Sequence, residues 1–97
     1  MSELPFEWDP FKAEINRQKH GITFEEAMTV FDDPLAALFD DEAHATYETR
    51  EVIIGHSFQT SLLLVSFTER DGSVRIISAR RATAREREDY ESGTTSG

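Results

Sequence analysis

The sequence predicts an α+β domain in the order β-α-α, followed by three to four mostly antiparallel strands and a C-terminal helix. Two capped helices lie in the first third, alternating apolar segments fill the second half, and the last strand runs directly into a helix. Helices bury their apolar sides against another layer, so we expect both N-terminal helices on one face of the sheet. The opposite face is then partly open and is the expected ligand-binding face.

The first strand and the two helices are indicated by their capping residues. Phe6-Glu7-Trp8 is typical of a short strand, and Asp9-Pro10 opens a helix with an N-cap aspartate and a proline at the first helical position. His20-Gly21 closes that helix, with glycine in a left-handed conformation. Thr23 and Glu26 form a capping box that starts the second helix.

Both helices have an apolar side that is expected to face the sheet. Phe11 and Ile15 share one side of the first helix with Gln18. The second helix carries an apolar stripe at helical spacing, made of Phe24, Ala27, Met28 and Phe31.

Sheet is predicted for segments 35–39, 49–58 and 61–68 and for the start of the stretch 75–90. Segment 62–65 is the most apolar, so we expect it to be central and covered on both faces. Gly55 indicates a bulge or a close approach of backbone. Asp71-Gly72 predicts a hairpin between two strands.

The last strand and helix, Arg75–Tyr90, carry half of the basic residues of the chain. In a regular strand Arg75, Ile77 and Ala79 lie on one face, and Val74, Ile76 and Ser78 lie on the other. Thr83 and Glu86 then form a capping box for the helix. Such a strand-to-helix junction can fix cationic groups in place, which suits phosphate binding. The basic residues are Arg75, Arg80, Arg81, Arg85 and Arg87.

Length and composition limit the possible classes of protein. The 97 residues predict one domain, 1–91, with a flexible tail at 92–97. The absence of cysteine excludes disulfides, thiolate catalysis and cysteine-based metal sites. No apolar run reaches the length of a membrane helix, and the cytoplasm is the expected location.

The net charge of −9 is unevenly distributed along the chain. Residues 1–51 contain thirteen of the nineteen acids, whereas residues 70–87 contain six bases and two acids. The pattern is compatible with a basic cleft on an acidic body. It is equally compatible with an acidic surface that binds a basic protein partner.

Several polar residues are candidates for chemistry, each with a structural alternative. His20, with Lys19 beside it, is a candidate general acid or phosphate donor, or else a helix cap. Glu48 and Arg50 would share a strand face as a base and a phosphate clamp, or form a surface ion pair. Tyr90 either stacks on a base or packs in the core.

The remaining candidates are arginines and histidines. Arg80 and Arg81 precede a helix N-terminus, which attracts anions. Their structural alternative is pairing with acids of the first half of the chain. His20, His44 and His56 lack metal-ligand spacing, so neither a metal nor another cofactor is expected.

Short motifs follow one another from about residue 6 to residue 91. The first are Phe6-Glu7-Trp8-Asp9-Pro10, Lys12-Ala13, Asn16, Lys19-His20-Gly21 and Phe24-Glu25-Glu26-Ala27. The later ones are Glu48 and Arg50, Ile54-Gly55 with Ser57, Thr68-Glu69-Arg70, Arg75-Ile76-Ile77-Ser78-Ala79-Arg80, then Ala82, Glu86 and Tyr90. Their joint order resembles that of the BrnT toxins of type II BrnT–BrnA toxin–antitoxin modules.

The resemblance implies a RelE-like α+β fold and an endoribonuclease that needs no metal and inhibits translation. It also implies a hetero-oligomer with a BrnA-like ribbon-helix-helix antitoxin that neutralises the toxin. Operator DNA would be bound only through the antitoxin, and no membrane is involved. The alternative is a non-catalytic module that binds a basic antitoxin and modulates its DNA binding.

Metal-free RNA cleavage needs proton transfer and neutralisation of the phosphorane. On this chemistry, Glu48 or His20 would transfer protons, and Lys19, Arg50 and Arg80 would surround the phosphate. RNA would also be held by Arg81 and Arg85 at flanking phosphates and by Tyr90 through stacking.

Overall fold

The computed structural model describes residues 5–41 and 50–93, which form a five-stranded sheet with helices on both faces. The elements are β1 (Phe6–Glu7), α1 (Pro10–His20), α2 (Phe24–Thr29), a 3-10 turn (Val30–Asp32), β2 (Ala37–Asp40), β3 (Glu51–His56), β4 (Leu62–Arg70), β5 (Ser73–Arg81) and α3 (Ala84–Gly93). This order confirms the mixed α+β class. The sheet order is β1-β5-β4-β3-β2, in which β1 is parallel to β5 and the other pairs are antiparallel.

The predicted caps form the helix ends. The Asp9 carboxylate accepts a hydrogen bond from the Phe11 N–H at 2.8 Å, and Gly21 closes α1 with φ 74°. The Thr23 hydroxyl accepts from the Glu26 N–H at the start of α2, but the Glu26 carboxylate accepts from the Ser57 hydroxyl at 2.7 Å and does not complete the predicted capping box. These bonds satisfy backbone groups that a helix end leaves unpaired, so both ends of α1 and the start of α2 agree with the sequence. The α-helix α2 ends at Thr29, earlier than its apolar stripe predicts, because Phe31 lies in the 3-10 turn that follows.

The main core lies between the two N-terminal helices and one face of the sheet. Phe24 of α2 packs there with strand residues such as Val65 and Ile76, and all three are buried. Phe31 makes edge-to-face contacts with Phe6 and with Phe67, each at a centroid distance of 5.0 Å. The prediction that both helices cover the same face is thus confirmed.

The predicted orientation of α1 is wrong. Phe11 and Ile15 are 72% and 46% exposed, and the buried residue of α1 is Asn16. The Asn16 amide donates to the carbonyl oxygens of Ile22 and Ala79 at 3.0 and 2.8 Å, and its oxygen accepts from the Ala79 N–H at 3.1 Å. Two of these bonds connect α1 to the edge of β5 and the third connects it to the loop before α2, so a polar side chain sets the orientation of the helix.

A bulge in β5 overturns the predicted strand faces. Ser66 pairs with Ser78, but the next residue of β4, Phe67, pairs with Ile76, so Ile77 is an extra residue in β5. One inserted residue reverses the side-chain alternation. Ala79 therefore joins Val74 and Ile76 in the core beneath the helices, and Ser78 lies on the opposite face.

Two glycine predictions agree with the structure. A Cβ built on Gly55 would lie 3.0 Å from the Ala36 Cβ and 3.1 Å from the Val30 Cγ1, which is the expected close approach. Asp71 and Gly72 have φ values of 53° and 79°, as required in the tight turn joining β4 to β5. The strand β4 lies third of five in the sheet and is therefore central, as expected. The expectation that it is covered on both faces is wrong, because Leu64 is only half-buried and lines an open cleft on the face opposite α1 and α2.

The start of β2 and the end of α3 differ slightly from prediction. The strand β2 begins two residues later than predicted, because the Asp33 carboxylate accepts from the Leu35 N–H and holds a turn there. The helix α3 includes Ser92 and Gly93, for which the sequence predicts a flexible tail, and residues 94–97 lie outside the described residues. None of the described helices has the combination of length and apolar composition that a membrane crossing requires.

Candidate active site

The face of the sheet opposite α1 and α2 contains an open cleft. Helix α3 covers one end of this face, where Tyr90 packs on Ile54 and Leu62. The rest of the face borders a cavity of about 400 Å³, named the outer cleft here. It is lined by Asp41, Arg50, Val52, Leu64, Ser66, Ser78, Arg80 and Glu86.

Arg80 is held in the outer cleft by a bidentate ion pair with Glu86. Its two terminal nitrogens each donate to one oxygen of the Glu86 carboxylate at 2.8 Å. The same carboxylate accepts from the Thr83 N–H at 2.9 Å, and the Glu86 N–H donates to the Thr83 hydroxyl at 3.1 Å. The capping box of α3 therefore also fixes the guanidinium, and the partner of Arg80 is an acid of the last helix instead of the first half of the chain.

This pairing determines the protonation of Glu86. The hydrogen bonds from Arg80 lower the pKa of Glu86 to about 2, against an opposing effect of burial. A carboxylate whose pKa is lower in the folded state than in the unfolded state contributes its whole stabilisation at pH values above its ordinary pKa of 4.5. The stabilisation is lost as the pH falls from there towards 2.

We expect acid to destabilise the wild type more steeply than the Glu86→Gln variant between pH 4.5 and 2, since glutamine does not titrate. Urea denaturation at several pH values measures this difference. Glu14 and Asp33, whose pKa values are also lowered, are present in both proteins, so their contributions cancel. Glu88→Gln on the same helix is the matched control, and equal slopes for wild type and Glu86→Gln would contradict the expectation.

A second cleft of about 200 Å³ lies between α1 and β5 and is named the edge cleft here. Ser78 lines both clefts, which are therefore neighbours across β5. The edge cleft is lined by Lys12, Ile15, Asn16, Lys19, His20, Ile77 and Ser78.

The structure separates the predicted site residues into three groups. Arg50 and Arg80 line the outer cleft, and Lys19 and His20 line the edge cleft. The exposed Arg81 and Arg85 line neither of them. Glu48 and His44 lie outside the described residues.

Tyr90 requires a correction, because its ring is buried and leaves no face for stacking on a base. The residue is 7% exposed, and its hydroxyl donates to the Asp33 carboxylate at 2.9 Å. The hydroxyl also contacts the His56 Nδ1 at 3.2 Å. Burial and the Asp33 carboxylate raise the pKa of Tyr90. The packing interpretation of Tyr90 is thus the one that the structure supports.

Asp33 is ionised within the same cluster. Burial opposes ionisation, but hydrogen bonds from the His56 and Leu35 N–H groups and from the Tyr90 hydroxyl lower the pKa of Asp33. The carboxylate thereby ties the 3-10 turn region to β3 and α3. No three His, Asp or Glu side chains of residues 5–41 and 50–93 are grouped as a metal ion would need.

Sequence reasoning missed two residues of this region. The sequence predicts Glu86 as a helix cap but not as the partner of Arg80. The two residues are six positions apart and lie in different elements, a strand and a helix, so neither helical nor strand periodicity indicates that they pair. Ser78 was assigned to a strand face without a role, because the bulge that turns it into the outer cleft has no clear signal in the sequence.

Known proteins resemble the chain in fold and in sequence pattern. The crystal structure of the ribonuclease toxin BrnT from Brucella abortus matches with a TM-score of 0.64 and 23% identity, covering 82% of this chain and 97% of that one. This degree of identity establishes a shared fold. No curated protein matches the chain significantly. The model of the family described as "Ribonuclease toxin, BrnT, of type II toxin-antitoxin system" matches residues 8–86, and the chain therefore belongs to the BrnT family of ribonuclease toxins.

Proposed function

We propose that this protein is the toxin of a type II toxin–antitoxin system and cleaves RNA without a metal ion, thereby inhibiting translation in the cytoplasm. The observation that carries the proposal is the fixed guanidinium of Arg80 beside Arg50 in an open cleft. The cleft also contains the carboxylates of Asp41 and Glu86, so the support comes from the remaining N–H donors of the two arginines, which can stabilise a phosphate that gains charge in the transition state. Membership of a ribonuclease toxin family supports the same activity.

The Arg80 guanidinium can bind a phosphate without leaving Glu86. The Glu86 pair uses the terminal nitrogens NH1 and NH2. The edge formed by Nε and the second hydrogen of NH2 can then donate two parallel hydrogen bonds to phosphate oxygens. Glu86 is in this proposal a positioning residue, because it orients the arginine and does not itself contact the substrate.

Cleavage proceeds by attack of the 2′-oxygen on the adjacent phosphorus, with release of the 5′-oxygen of the next nucleotide. The 2′-hydroxyl loses its proton and the leaving oxygen gains one, so the products are a 2′,3′-cyclic phosphate and a 5′-hydroxyl. We assign proton transfer to His20 or Glu48 and phosphate binding to Lys19, Arg50 and Arg80. Because Ser78 lines both clefts, we expect a single RNA strand to occupy both of them.

The partner assignments form part of the proposal. The family implies an antitoxin, and we propose a BrnA-like ribbon-helix-helix protein that forms a hetero-oligomer with the toxin. Operator DNA is then bound through the antitoxin. We also propose a RelE-like arrangement, supported by the packing of α1 and α2 on one face of the sheet.

The test is incubation of purified protein with a labelled single-stranded RNA in EDTA. We expect products ending in a 2′,3′-cyclic phosphate, and no cleavage of a matched oligonucleotide in which every ribose is 2′-deoxy. Adding the antitoxin should abolish cleavage. Cleavage that requires added magnesium would contradict the metal-free mechanism, and intact RNA with tight antitoxin binding would favour a non-catalytic binding module.

A further inference from the structure

Helix α1 presents a mixed apolar and basic surface to solvent. Phe11, Lys12, Ile15 and Lys19 follow the spacing of a single helical face, which is named the α1 face here. Phe11 is 72% exposed and Ile15 is 46% exposed. A phenylalanine at this exposure gains little from folding, and its ring is available to contact a binding partner.

The charge of the α1 face is opposite to that of the whole chain. Lys12, Lys19 and His20 line the edge cleft, and no carboxylate of the described residues does so. Neither lysine has an ion-pair partner among the described residues. In a chain with 19 acids and 10 lysines and arginines, this local surface attracts anions.

The nearest acid on α1 does not cancel this charge. Glu14 pairs with Arg17 at 2.6 Å and accepts a further hydrogen bond from Gln18 at 2.9 Å. Arg17 lies on the side of the helix away from Lys12 and Lys19, at about 100° per residue, and Glu14 pairs with it there. The two lysines therefore line the edge cleft without an internal ion pair among the described residues.

The α1 face is continuous with the outer cleft. The short strand β1 pairs with β5 at Val74 and Arg75, and its pairing does not reach the bulge at Ile77. Ile77 lines the edge cleft, and the neighbouring Ser78 lines both clefts. An extended polyanion can therefore run from the Arg80 guanidinium past Ser78 to the lysines of α1.

We propose that the α1 face binds the single-stranded RNA that flanks the cleaved phosphate, with a base stacked on Phe11 and a flanking phosphate held by Lys12, next to Lys19 at the cleaved phosphate. Exposed aromatics between cations are the usual elements of single-strand binding. A basic antitoxin would be repelled by the same lysines, so charge favours nucleic acid over that partner. This inference extends the proposed ribonuclease function by adding a substrate-binding subsite.

The first test measures binding without cleavage. The probe is a fluorescent 12-nucleotide RNA with 2′-O-methyl groups throughout, which has no 2′-hydroxyl to attack the phosphate. We expect Phe11→Ala to weaken binding by about tenfold, since one stacked base is lost. Phe58→Ala is the matched control, because Phe58 is 67% exposed and lies on the β3–β4 turn, and it should change binding less than twofold.

The second test measures charge. Each phosphate contact of a single strand contributes about −0.7 to the slope of log K against log salt. Lys12→Gln should therefore make this slope less steep by about 0.7. Arg87→Gln, an exposed cation on α3, is the matched control and should keep the wild-type slope. Equal slopes for Lys12→Gln and wild type would remove Lys12 from the subsite.

The outcomes separate this subsite from the proposed function. Binding that depends on Phe11, without cleavage of ordinary RNA, would retain the subsite and contradict the nuclease. If the protein cleaves RNA but Phe11→Ala binds RNA as tightly as the wild type, the proposed nuclease function stands and the subsite proposal is wrong. Loss of antitoxin binding in Phe11→Ala, with RNA binding intact, would assign the α1 face to a protein partner and also overturn the proposal.

Discussion

Replacing Arg80 with lysine is expected to lower RNA cleavage by tenfold or more while the protein remains folded. Lysine keeps the positive charge but offers a single point of contact. It cannot pair with both oxygens of Glu86 and also present a second planar edge to a phosphate. Arg80→Ala should lose more activity, because the charge is lost as well.

The experiment measures kcat/KM for RNA cleavage and the melting temperature on the same samples. Arg87→Lys is the matched control, since Arg87 is an exposed cation of α3 that does not line the outer cleft. We expect this control to retain wild-type cleavage. If Arg80→Ala melts earlier but cleaves RNA like the wild type per folded molecule, Arg80 has a purely structural role. Arg50 and Lys19 would then be the next candidates for the phosphate site.

Replacing Val65 with aspartate is expected to unfold the protein. Val65 lies on the central strand β4, is fully buried and faces the core beneath α1 and α2. A carboxylate there would have to be buried without a partner or protonated, at a cost of several kcal/mol. This approaches the total stability of about 5–15 kcal/mol that is typical of a domain.

The adjacent Leu64→Asp is the matched control, because Leu64 is half-buried and lines the solvent-filled outer cleft. We expect this variant to remain folded with a smaller loss of stability. Circular dichroism and urea denaturation of both variants provide the measurement. Unfolding by Leu64→Asp alone would reverse the assignment of the two faces of β4.

The sequence by itself determined the elements that depend on local hydrogen bonding and local backbone geometry. Asp9, Thr23 and Thr83 marked helix starts because a capping side chain reaches N–H groups only two or three residues away. Gly21 and Gly72 marked a helix end and a turn, because both need a positive φ. The order of the elements followed from these signals.

The tertiary structure decided which side chains meet, because contacts between distant elements depend on orientation. The amide of Asn16 reaches Ala79, 63 residues away, and this contact turns Phe11 and Ile15 outward. Hydrophobic spacing could not reveal it, since the helix is oriented by hydrogen bonds to the edge of β5.

The candidate site also depends on one residue of register. The extra Ile77 reverses the alternation in β5, so Ala79 enters the core while Ser78 and Arg80 face the outer cleft. Side chains alternate with a period of two, and a single inserted residue therefore changes which of them can meet a substrate. The sequence determined that arginines stand at the end of β5, and the bulge together with Glu86 decided that Arg80 is the one held in the cleft.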